Sequence, residues 1–219
     1  MPHDRYYHPG PLTQNVSLTG DEHHHLFKVM RGSIGTEIEL IDGAGTLAVA
    51  KVTAIDRQAA QLEIIQVDHH LPTPQRTLSM GLIKQAKLEL VCEKCTELGI
   101  TDFHFFPADH SERDSISDNH LTRLHTILIS ATKQCGRLYF PTIHLHSKIH
   151  IPESSAYATL EDKPSHLKDM HMKSVMIGPE KGWSKKEEAL LKLHATPVTL
   201  HTNILRAETA AIVAAAWLL

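Results

Sequence analysis

Two prolines separated by a single residue, Pro72 and Pro74, divide the chain into parts with different hydrophobic patterns. A proline lacks a backbone N–H and disfavours helical conformation in the residue before it, so neither a helix nor a central strand continues through this segment. Short alternating patterns precede the prolines, and strand patterns alternating with helical patterns follow them. We therefore predict one domain over residues 1–70 and a second over residues 71–219.

The first part has the pattern of a small β-rich domain. Residues 36–41 alternate apolar with polar side chains, and Asp42 with Gly43 then forms a hairpin-type turn. The other predicted elements of this part are strands at 47–55 and 62–67, in the same sheet or barrel, and a short helix over 21–31 that ends at Gly32.

The second part alternates strands with helices, which predicts an α/β fold with a mainly parallel sheet covered by helices. Asp118 is the predicted N-cap of one helix, and Ser184 forms a capping box with Glu187 at the start of another. The predicted strands lie at 78–82, 103–106, 175–177 and 198–200, and the predicted helices cover 88–98, 118–135, the residues after 184, and 208–219.

The composition excludes several classes of protein. The longest apolar stretch, residues 210–219, is about half of what a bilayer-spanning helix needs, so no membrane association is expected. The first residues lack the charged-then-apolar layout of a signal peptide, and three cysteines are too few for a disulfide framework. We therefore expect a soluble, cytoplasmic protein.

Charge does not by itself indicate a nucleic-acid-binding protein. The formal net charge is −3, although the chain contains 18 histidines that gain charge near a phosphate. Any contact with RNA must therefore come from local patches of cations.

A glycine-containing loop follows the predicted strand at 175–177. Residues 177–184 read I-G-P-E-K-G-W-S, and a capped helix begins at the far end of the loop. Ligands of open parallel sheets bind at such carboxyl ends of strands, and Gly178 and Gly182 allow a ligand to approach the backbone. The alternative is a plain turn between a strand and a helix. Neither G-x-G-x-x-G nor a G-K-[ST] loop occurs.

A second junction of strand, loop and helix lies at residues 200–210, which read L-H-T-N-I-L-R-A-E-T-A. It brings together a cation, a carboxylate and a hydroxyl, at Arg206, Glu208 and Thr209. The purely structural alternatives are a surface salt bridge for Arg206 and a favourable interaction of Glu208 with the helix dipole.

Together these two stretches resemble the RsmE family, the bacterial 16S ribosomal RNA uridine-N3 methyltransferases of the SPOUT superfamily. Members of that family carry I-G-P-E-G-G-[FW]-S and L-G-x-R-I-L-R-x-E-T-A at the corresponding places. Four further blocks resemble the family in the same order along the chain, at 24–31, 94–100, 111–113 and 134–137. The chain departs from the pattern at Lys181, where a second glycine is usual, and at residues 201–203, which replace a glycine-containing turn.

The resemblance implies a PUA-like β-barrel that binds RNA over residues 1–70 and a SPOUT domain with a trefoil knot over residues 71–219. It also implies a homodimer that uses S-adenosylmethionine to methylate one uridine of 16S ribosomal RNA in the assembled small subunit. The expected cofactor-binding residues are Ile177, Gly178, Pro179, Glu180, Gly182, Leu200, His201, Asn203, Ile204, Leu205 and Thr209, and the expected RNA-binding residues are Lys28, Arg31, Arg5 and Arg137.

Arg206 is the predicted catalytic residue. Uridine N3 becomes nucleophilic as its proton leaves and charge spreads onto the ring carbonyls, and a fixed cation beside those carbonyls favours that charged form. Glu208 is an alternative candidate for the base that takes the proton, against its role at the start of a helix.

Other residue patterns give weaker indications of function. Cys92 and Cys95 form a C-x-x-C in the middle of a predicted helix, and only Cys135 remains to join them, so no metal site is predicted. Tyr6, Tyr7 and Trp183 are candidates for stacking on bases, with core packing as the alternative. Two other functions stay open: methylation of a different RNA such as a transfer RNA, and a non-catalytic RNA-binding protein that has kept the fold.

Overall fold

A five-stranded sheet forms the first part of the computed structural model, which describes residues 5–160 and 164–218. The strand order is β1-β3-β4-β5-β2; β1 pairs with β3 in parallel, and the other three pairs are antiparallel. The strands are β1 (Arg5–Tyr7), β2 (Asn15–Leu18), β3 (Glu37–Ile41), β4 (Thr46–Ile55) and β5 (Ala60–His69). The predicted β-rich part is confirmed.

The turn between β3 and β4 shows how the sequence builds this sheet. One carboxylate oxygen of Asp42 accepts the backbone N–H groups of Ala44, at 2.7 Å, and of Thr46, at 3.0 Å. Gly43 and Gly45 have φ angles of 75° and 101°, which side chains other than glycine rarely adopt. The predicted hairpin is therefore present, and its alternate residues point into a core that contains Tyr6, Leu18, Leu26, Ile38, Leu40, Val52 and Leu62.

The predicted helix over 21–31 is shorter in the structure. An α-helix, α1 (Gly20–His24), continues into one π-helical turn over His25–Val29, and Arg31 then adopts a φ of 55°. Gly32 follows, and its N–H donates to the carbonyl of Leu26 at 2.9 Å. A Cβ at Gly32 would lie 2.6 Å from the Leu26 side chain, so the chain needs glycine to turn here.

The chain separates into two units, and the first includes a segment from far along the sequence. It comprises the residues up to Thr73 together with Thr132–Phe140. Hydrogen bonds hold this segment: Gly45 N–H donates to the Leu138 carbonyl at 3.0 Å, and Phe140 N–H donates to the Gly43 carbonyl at 2.9 Å. The domain limits read from the linker alone do not contain this segment.

The second unit is built on a six-stranded sheet in which every pair of neighbouring strands is parallel. The order is β11-β9-β10-β6-β7-β8. The strands are β6 (Thr77–Gly81), β7 (Asp102–Phe106), β8 (Thr142–Leu145), β9 (Ala156–Ala158), β10 (Ser174–Ile177) and β11 (Thr196–Val198). The helices are α2 (Gln85–Glu97), α3 (Asp118–Cys135), α4 (Lys185–His194) and α5 (Ala207–Trp217), with a 3₁₀ turn at Leu167–Asp169. The α/β fold predicted for this part is confirmed.

Both faces of the parallel sheet are covered. Val175 and Ile177 of β10 lie in the core that contains α2 and α5 residues, whereas Met176 packs on the opposite side with Trp183 and Leu191. Side chains alternate between the faces of a strand, so a strand buried on both sides is apolar throughout. That is why 175–177 could be predicted as a strand.

Two details of the prediction are wrong. Asp118 is the first residue of α3 and not its N-cap; Ser117 precedes the helix, and its hydroxyl accepts the His120 N–H at 3.3 Å. The last strand lies at Thr196–Val198 and not at 198–200. Among the described residues, no helix has the length and hydrophobicity to span a membrane.

Candidate functional site

A cavity of about 410 Å³ opens at the carboxyl ends of three neighbouring strands, β9, β10 and β11. Because the three strands are parallel, the loops that follow them meet at one edge of the sheet. The lining residues come from these loops and from the helices that follow two of them: 158–160, 177–183, 199–201, 203–205, Glu188, Ala207 and Ala210.

The structure brings together most of the residues predicted to hold a cofactor. Those that line the cavity are Ile177, Gly178, Pro179, Glu180, Gly182, Leu200, His201, Asn203, Ile204 and Leu205. Thr209 is not among the lining residues; its side chain is exposed on α5. The loop after β9, which also lines the cavity, carries no pattern that sequence reasoning recognised.

The loop after β10 accommodates Lys181 without backbone strain. Gly182 N–H donates to the Pro179 carbonyl at 2.8 Å, and the positive φ of this turn, 73°, falls at Gly182. Lys181 does not have a positive φ, so the glycine usual at this position in similar proteins is not needed here for conformation. Its side chain is exposed at the cavity lining.

Gly178 is needed for a different reason. A Cβ there would lie 3.2 Å from the indole ring of Trp183, which is tighter than ordinary contact. The indole is fixed in turn, because its N–H donates to the Ala158 carbonyl at 3.1 Å. Trp183 is therefore buried and holds the loop after β10 against β9. Tyr6 is also buried, in the core of the first unit. Both rings therefore follow the core-packing alternative, and the small accessible part of Trp183 lines the cavity.

The turn at residues 201–203 is stabilised by side chains where similar proteins use glycine. The ring Nδ1 of His201 accepts the backbone N–H of Asn203 at 3.0 Å, and the hydroxyl of Thr199 donates to the His201 carbonyl at 3.3 Å. No residue of the turn has a positive φ. Residues 201–203 thus form their turn with side-chain hydrogen bonds and do not need the conformational freedom of glycine.

A buried carboxylate anchors the far end of the loop after β10. Glu187 accepts the N–H of Ser184 at 2.9 Å, which completes the predicted capping box of α4. Its other oxygen accepts the N–H of Asp109 at 2.9 Å, and the Ser184 hydroxyl donates to Asp109 at 2.5 Å. The sequence predicted the cap but not Asp109, which comes from the loop after β7.

Arg206 lies at the rim of the cavity as an exposed residue directly before α5. Its neighbours Leu205 and Ala207 line the cavity, whereas Arg206 itself does not. Across residues 5–160 and 164–218 no carboxylate forms an ion pair with its guanidinium, so the salt-bridge alternative is wrong. The structure leaves this cation free to meet a ligand.

Glu208 lies in the first turn of α5, the position predicted for its favourable interaction with the helix dipole. No side-chain hydrogen bond caps this helix; the Glu208 carboxylate lies 3.3 Å from Lys87 Nζ and is almost fully buried. The same Lys87 Nζ lies 3.5 Å from a carboxylate oxygen of Glu180, which lines the cavity. Lys87 therefore links α2, the loop after β10 and α5, and sequence reasoning missed it.

The predicted RNA-binding cations differ in their surroundings. Arg5 is bound by Glu39, with contacts of 2.7 and 2.8 Å, and only 11% of its side chain is exposed, so the structure gives it a role within the sheet. Lys28 and Arg31 are exposed, and Lys28 Nζ lies 4.9 Å from the centre of the Phe27 ring. Arg137 is half-buried in the segment that follows α3.

The cysteines of the C-x-x-C lie in the core of the second unit. Burial raises the pKa of the Cys92 and Cys95 thiols well above the usual range, which disfavours the thiolate that binds metals. Cys95 Sγ instead lies 3.6 Å from the carbonyl of Ala211 in α5.

Comparison with known proteins decides the family. Residues 69–219 match the family described as RNA methyltransferase domain, and residues 18–65 match the RNA methyltransferase PUA domain. Ribosomal RNA small subunit methyltransferase E of Synechocystis is 31% identical, over 94% of this chain and 73% of that protein. The chain belongs to the RsmE family of RNA methyltransferases.

Other RsmE proteins agree over almost the whole length. The protein of the same name from Buchnera aphidicola is 26% identical over 93% of this chain and 87% of its own. The crystal structure of ribosomal RNA small subunit methyltransferase E from Neisseria gonorrhoeae, bound to S-adenosylmethionine, superposes with a TM-score of 0.85. It shares 26% identity and covers 98% of this chain and 95% of that one. The PUA-like first part and the parallel-sheet second part expected from the sequence are therefore both present.

Proposed function

We propose that this RsmE protein transfers a methyl group from S-adenosylmethionine to N3 of one uridine in 16S ribosomal RNA. The cavity at the ends of β9, β10 and β11, with Arg206 at its rim and in no ion pair with a described residue, is the observation that carries this proposal. Residues 71–219 would perform the chemistry, and residues 1–70 would bind RNA. The protein would act in the cytoplasm as a homodimer on the assembled small subunit.

The cavity suits S-adenosylmethionine in size and in its chemical groups. Its volume, about 410 Å³, lies within the range of small-molecule sites. Leu200, Leu205 and Ile177 offer apolar surface to an adenine ring, and the carboxylate of Glu188 places negative charge in the lining, which favours a sulfonium cation. Gly178 and Gly182 keep one wall free of side chains, so a ligand can reach the backbone there.

The chain itself would supply orientation and electrostatics. When bound, the sulfonium compound supplies a methyl group already activated for transfer. Residues 178–182 and 200–205 would hold it on the floor of the cavity, at the edge where Arg206 stands. The N3–H bond of uridine breaks with release of the proton to water, and a bond from N3 to carbon forms as the bond from sulfur to carbon breaks.

Arg206 would act on the uridine. Loss of the N3 proton leaves negative charge on the ring carbonyls, and a guanidinium within hydrogen-bonding distance of them stabilises that charge. Because Arg206 makes no ion pair with a described residue, its charge is not already neutralised by the protein. Lys87 would keep the carboxylates of Glu180 and Glu208 paired and away from this reaction.

Two observations support the remaining parts of the proposal. Lys28 and Arg31 are exposed close together in the chain, as cations that contact phosphates must be. Leu160 and Ile204 line the same cavity with 78% and 79% of their surfaces exposed, and exposed apolar side chains that occur together are typical of an interaction surface. A second subunit at this edge would cover them. The trefoil knot is proposed on the family likeness.

The test is methyl transfer from labelled S-adenosylmethionine to small ribosomal subunits that lack the modification, followed by mapping of the labelled nucleotide. We expect label at N3 of a single uridine of 16S RNA in assembled subunits. Label found only in transfer RNA would replace the proposed substrate. No label in any RNA, together with no thermal stabilisation by S-adenosylmethionine, would leave a non-catalytic RNA-binding protein.

A further inference from the structure

Four histidines lie side by side at the β8 edge of the parallel sheet. His104 belongs to β7 and His144 is its neighbour in register on β8. His146 directly follows β8, and His150 lies in the loop that leads to β9. None of the four lines the cavity, and none lies in the sequence blocks that resemble the family.

The imidazole nitrogens of three of these residues converge. His104 Nδ1 lies 2.8 Å from His146 Nε2, and the rings of His146 and His150 are 4.2 Å apart between centroids. One ring nitrogen from each of the three lies within 4.8 Å of the other two. Each of the three side chains is half-buried, so the cluster is held in the protein and still reached from solvent.

The surrounding chain holds these residues in place independently of any ligand. His104 and His146 are fixed by the pairing of β7 with β8, because His146 N–H donates to the Phe105 carbonyl at 2.9 Å. His150 is placed by its neighbours Ile149 and Ile151, which pack against the apolar cluster on one face of the sheet. The backbone that carries these three side chains is therefore in place before a ligand arrives.

We propose that His104, His146 and His150 form a binding site for a divalent transition-metal ion, specifically Zn²⁺. Three neutral imidazoles and no carboxylate are a donor set that suits zinc and excludes calcium or magnesium, which require oxygen ligands. Zinc bound to nitrogen at about 2.1 Å in tetrahedral geometry places its ligand nitrogens roughly 3.4 Å apart. The 2.8 Å between His104 Nδ1 and His146 Nε2, and the limit of 4.8 Å within which all three nitrogens lie, are compatible with that value.

Ligation requires a modest rearrangement of the rings. The His146 and His150 planes are 5° apart and the His104 and His146 planes are 10° apart, so the rings now stack. Rotation about the side-chain bonds would turn the three nitrogens toward a common point. His144 would remain outside, since its Nε2 lies 3.4 Å from a carboxylate oxygen of Asp102. Water would complete the coordination.

The bound ion would tie the loop after β8 to the sheet. This loop leads into β9, whose carboxyl end contributes Ala158 to the cavity lining. Zinc would therefore act as a structural clamp on the unit that carries the cavity, remote from the reacting atoms. Sequence spacing alone did not predict the site, because its members lie on two strands and a loop.

The experiment uses the full chain without an affinity tag, stripped with a chelator and titrated with Co²⁺, whose visible absorption reports nitrogen coordination, and with Zn²⁺. We expect one equivalent of each ion to bind and Zn²⁺ to raise the melting temperature. His146→Ala and His150→Gln should abolish the absorption and the thermal shift. His125→Ala and His171→Ala, which remove exposed histidines elsewhere, should change neither.

The outcomes separate the alternatives. Retention of wild-type Co²⁺ spectra in His150→Gln would overturn the proposal, as would equal loss in the His125→Ala control. Thermal stabilisation by S-adenosylmethionine shows whether each variant is folded. If His146→Ala fails to fold, His150→Gln tests metal binding, because His150 lies in a loop and not in the sheet. A failure of methyl transfer with zinc binding intact would count against the proposed function and leave this site standing.

Discussion

At the scale of single residues, the position of Arg206 is the feature most directly tied to catalysis. It stands one residue before α5, so its backbone carbonyl accepts the first helical N–H, from Ala210 at 2.8 Å, while its side chain points away from the helix core into solvent. An arginine whose charge is already neutralised by a carboxylate would stabilise a developing anion much less. Its free guanidinium distinguishes Arg206 from Lys87 and Glu180, whose charges are paired with each other beside the cavity.

Replacement of this residue separates catalysis from binding. Arg206→Ala should lower the rate of methyl transfer by about 10²- to 10³-fold, the usual effect of removing one group that stabilises developing charge. The Kd for S-adenosylmethionine, measured by calorimetry, should change little, because Arg206 does not line the cavity. Arg206→Lys should recover part of the rate.

Arg123→Ala serves as the control, since it removes an exposed arginine of α3 outside the cavity and should leave both quantities unchanged. An equal loss of cofactor affinity and rate in Arg206→Ala would assign the residue to cofactor binding and would contradict a catalytic role.

The residues of the site that could be predicted are those that are contiguous in sequence. Residues 177–183 and 200–205 form two loops, so a pattern in each is enough to reveal them. Lys87 and Asp109 contact those loops from distant parts of the chain, through pairs that no local pattern encodes. Lys181 and His201 show the reverse: each departs from the family pattern, and the structure explains why the loops keep their form.

At the scale of elements, α4 and the loop before it depend on one buried carboxylate. The two oxygens of Glu187 accept the N–H groups of Ser184 and Asp109, both at 2.9 Å. Glu187→Gln keeps the size of the side chain but leaves a single oxygen, so one of these partly buried N–H groups faces an NH₂ group. The free energy of unfolding should fall by about 1 kcal/mol, because the lost hydrogen bond is only partly buried.

Because Ser184 ends the loop that lines the cavity, Glu187→Gln should also weaken S-adenosylmethionine binding. Glu153→Gln, at an exposed position, is the control and should change neither the free energy of unfolding nor the affinity. Urea denaturation and calorimetry measure the two quantities. Unchanged stability in Glu187→Gln would mean that the hydrogen bonds to Asp109 and Ser184 contribute nothing to the fold.

Sequence patterns revealed the long elements and, among the short strands, those with an alternating or fully apolar pattern, such as β10. Helices α2 and α3 and strands β4 and β5 have ten or more residues, enough to show their periodicity. Strands β1, β2, β8 and β9 have three or four residues each, and that length fits a loop as well as a strand. Their strand conformation is set by the neighbours with which they pair.

At the scale of the whole molecule, the linker predicted two units but not their full membership. The segment Thr132–Phe140 belongs with the first unit because backbone hydrogen bonds and the rings of Tyr139 and Phe140 fit against Gly43 and Gly45. A Cβ at Gly45 would lie 2.2 Å from the Tyr139 hydroxyl, so this close approach requires glycine. Contacts between segments so far apart in sequence leave no periodic signal.

The buried cysteines connect the stability of the second unit to the cavity. Cys92 and Cys95 are fully buried in α2, and Cys95 contacts the carbonyl of Ala211 in α5, the helix whose residues Ala207 and Ala210 line the cavity. A thiol reagent can reach them only when this part of the structure opens. A ligand that binds the closed form lowers the population of the open form by a factor of 1 + [L]/Kd.

Labelling of Cys92 and Cys95 by a thiol reagent should therefore slow about 100-fold when S-adenosylmethionine is present at 100 times its Kd. Cys135 is half-buried and supplies an internal reference, whose labelling should proceed without global opening and at an unchanged rate. Mass spectrometry of the labelled peptides measures the three rates in one sample. Equal protection of all three cysteines would mean that S-adenosylmethionine slows labelling by a route other than the opening of α2 and α5. No protection of Cys92 and Cys95 would mean that α5 opens without loss of the bound ligand. The expected difference between these cysteines arises because α2 packs against α5, whose residues Ala207 and Ala210 line the cavity.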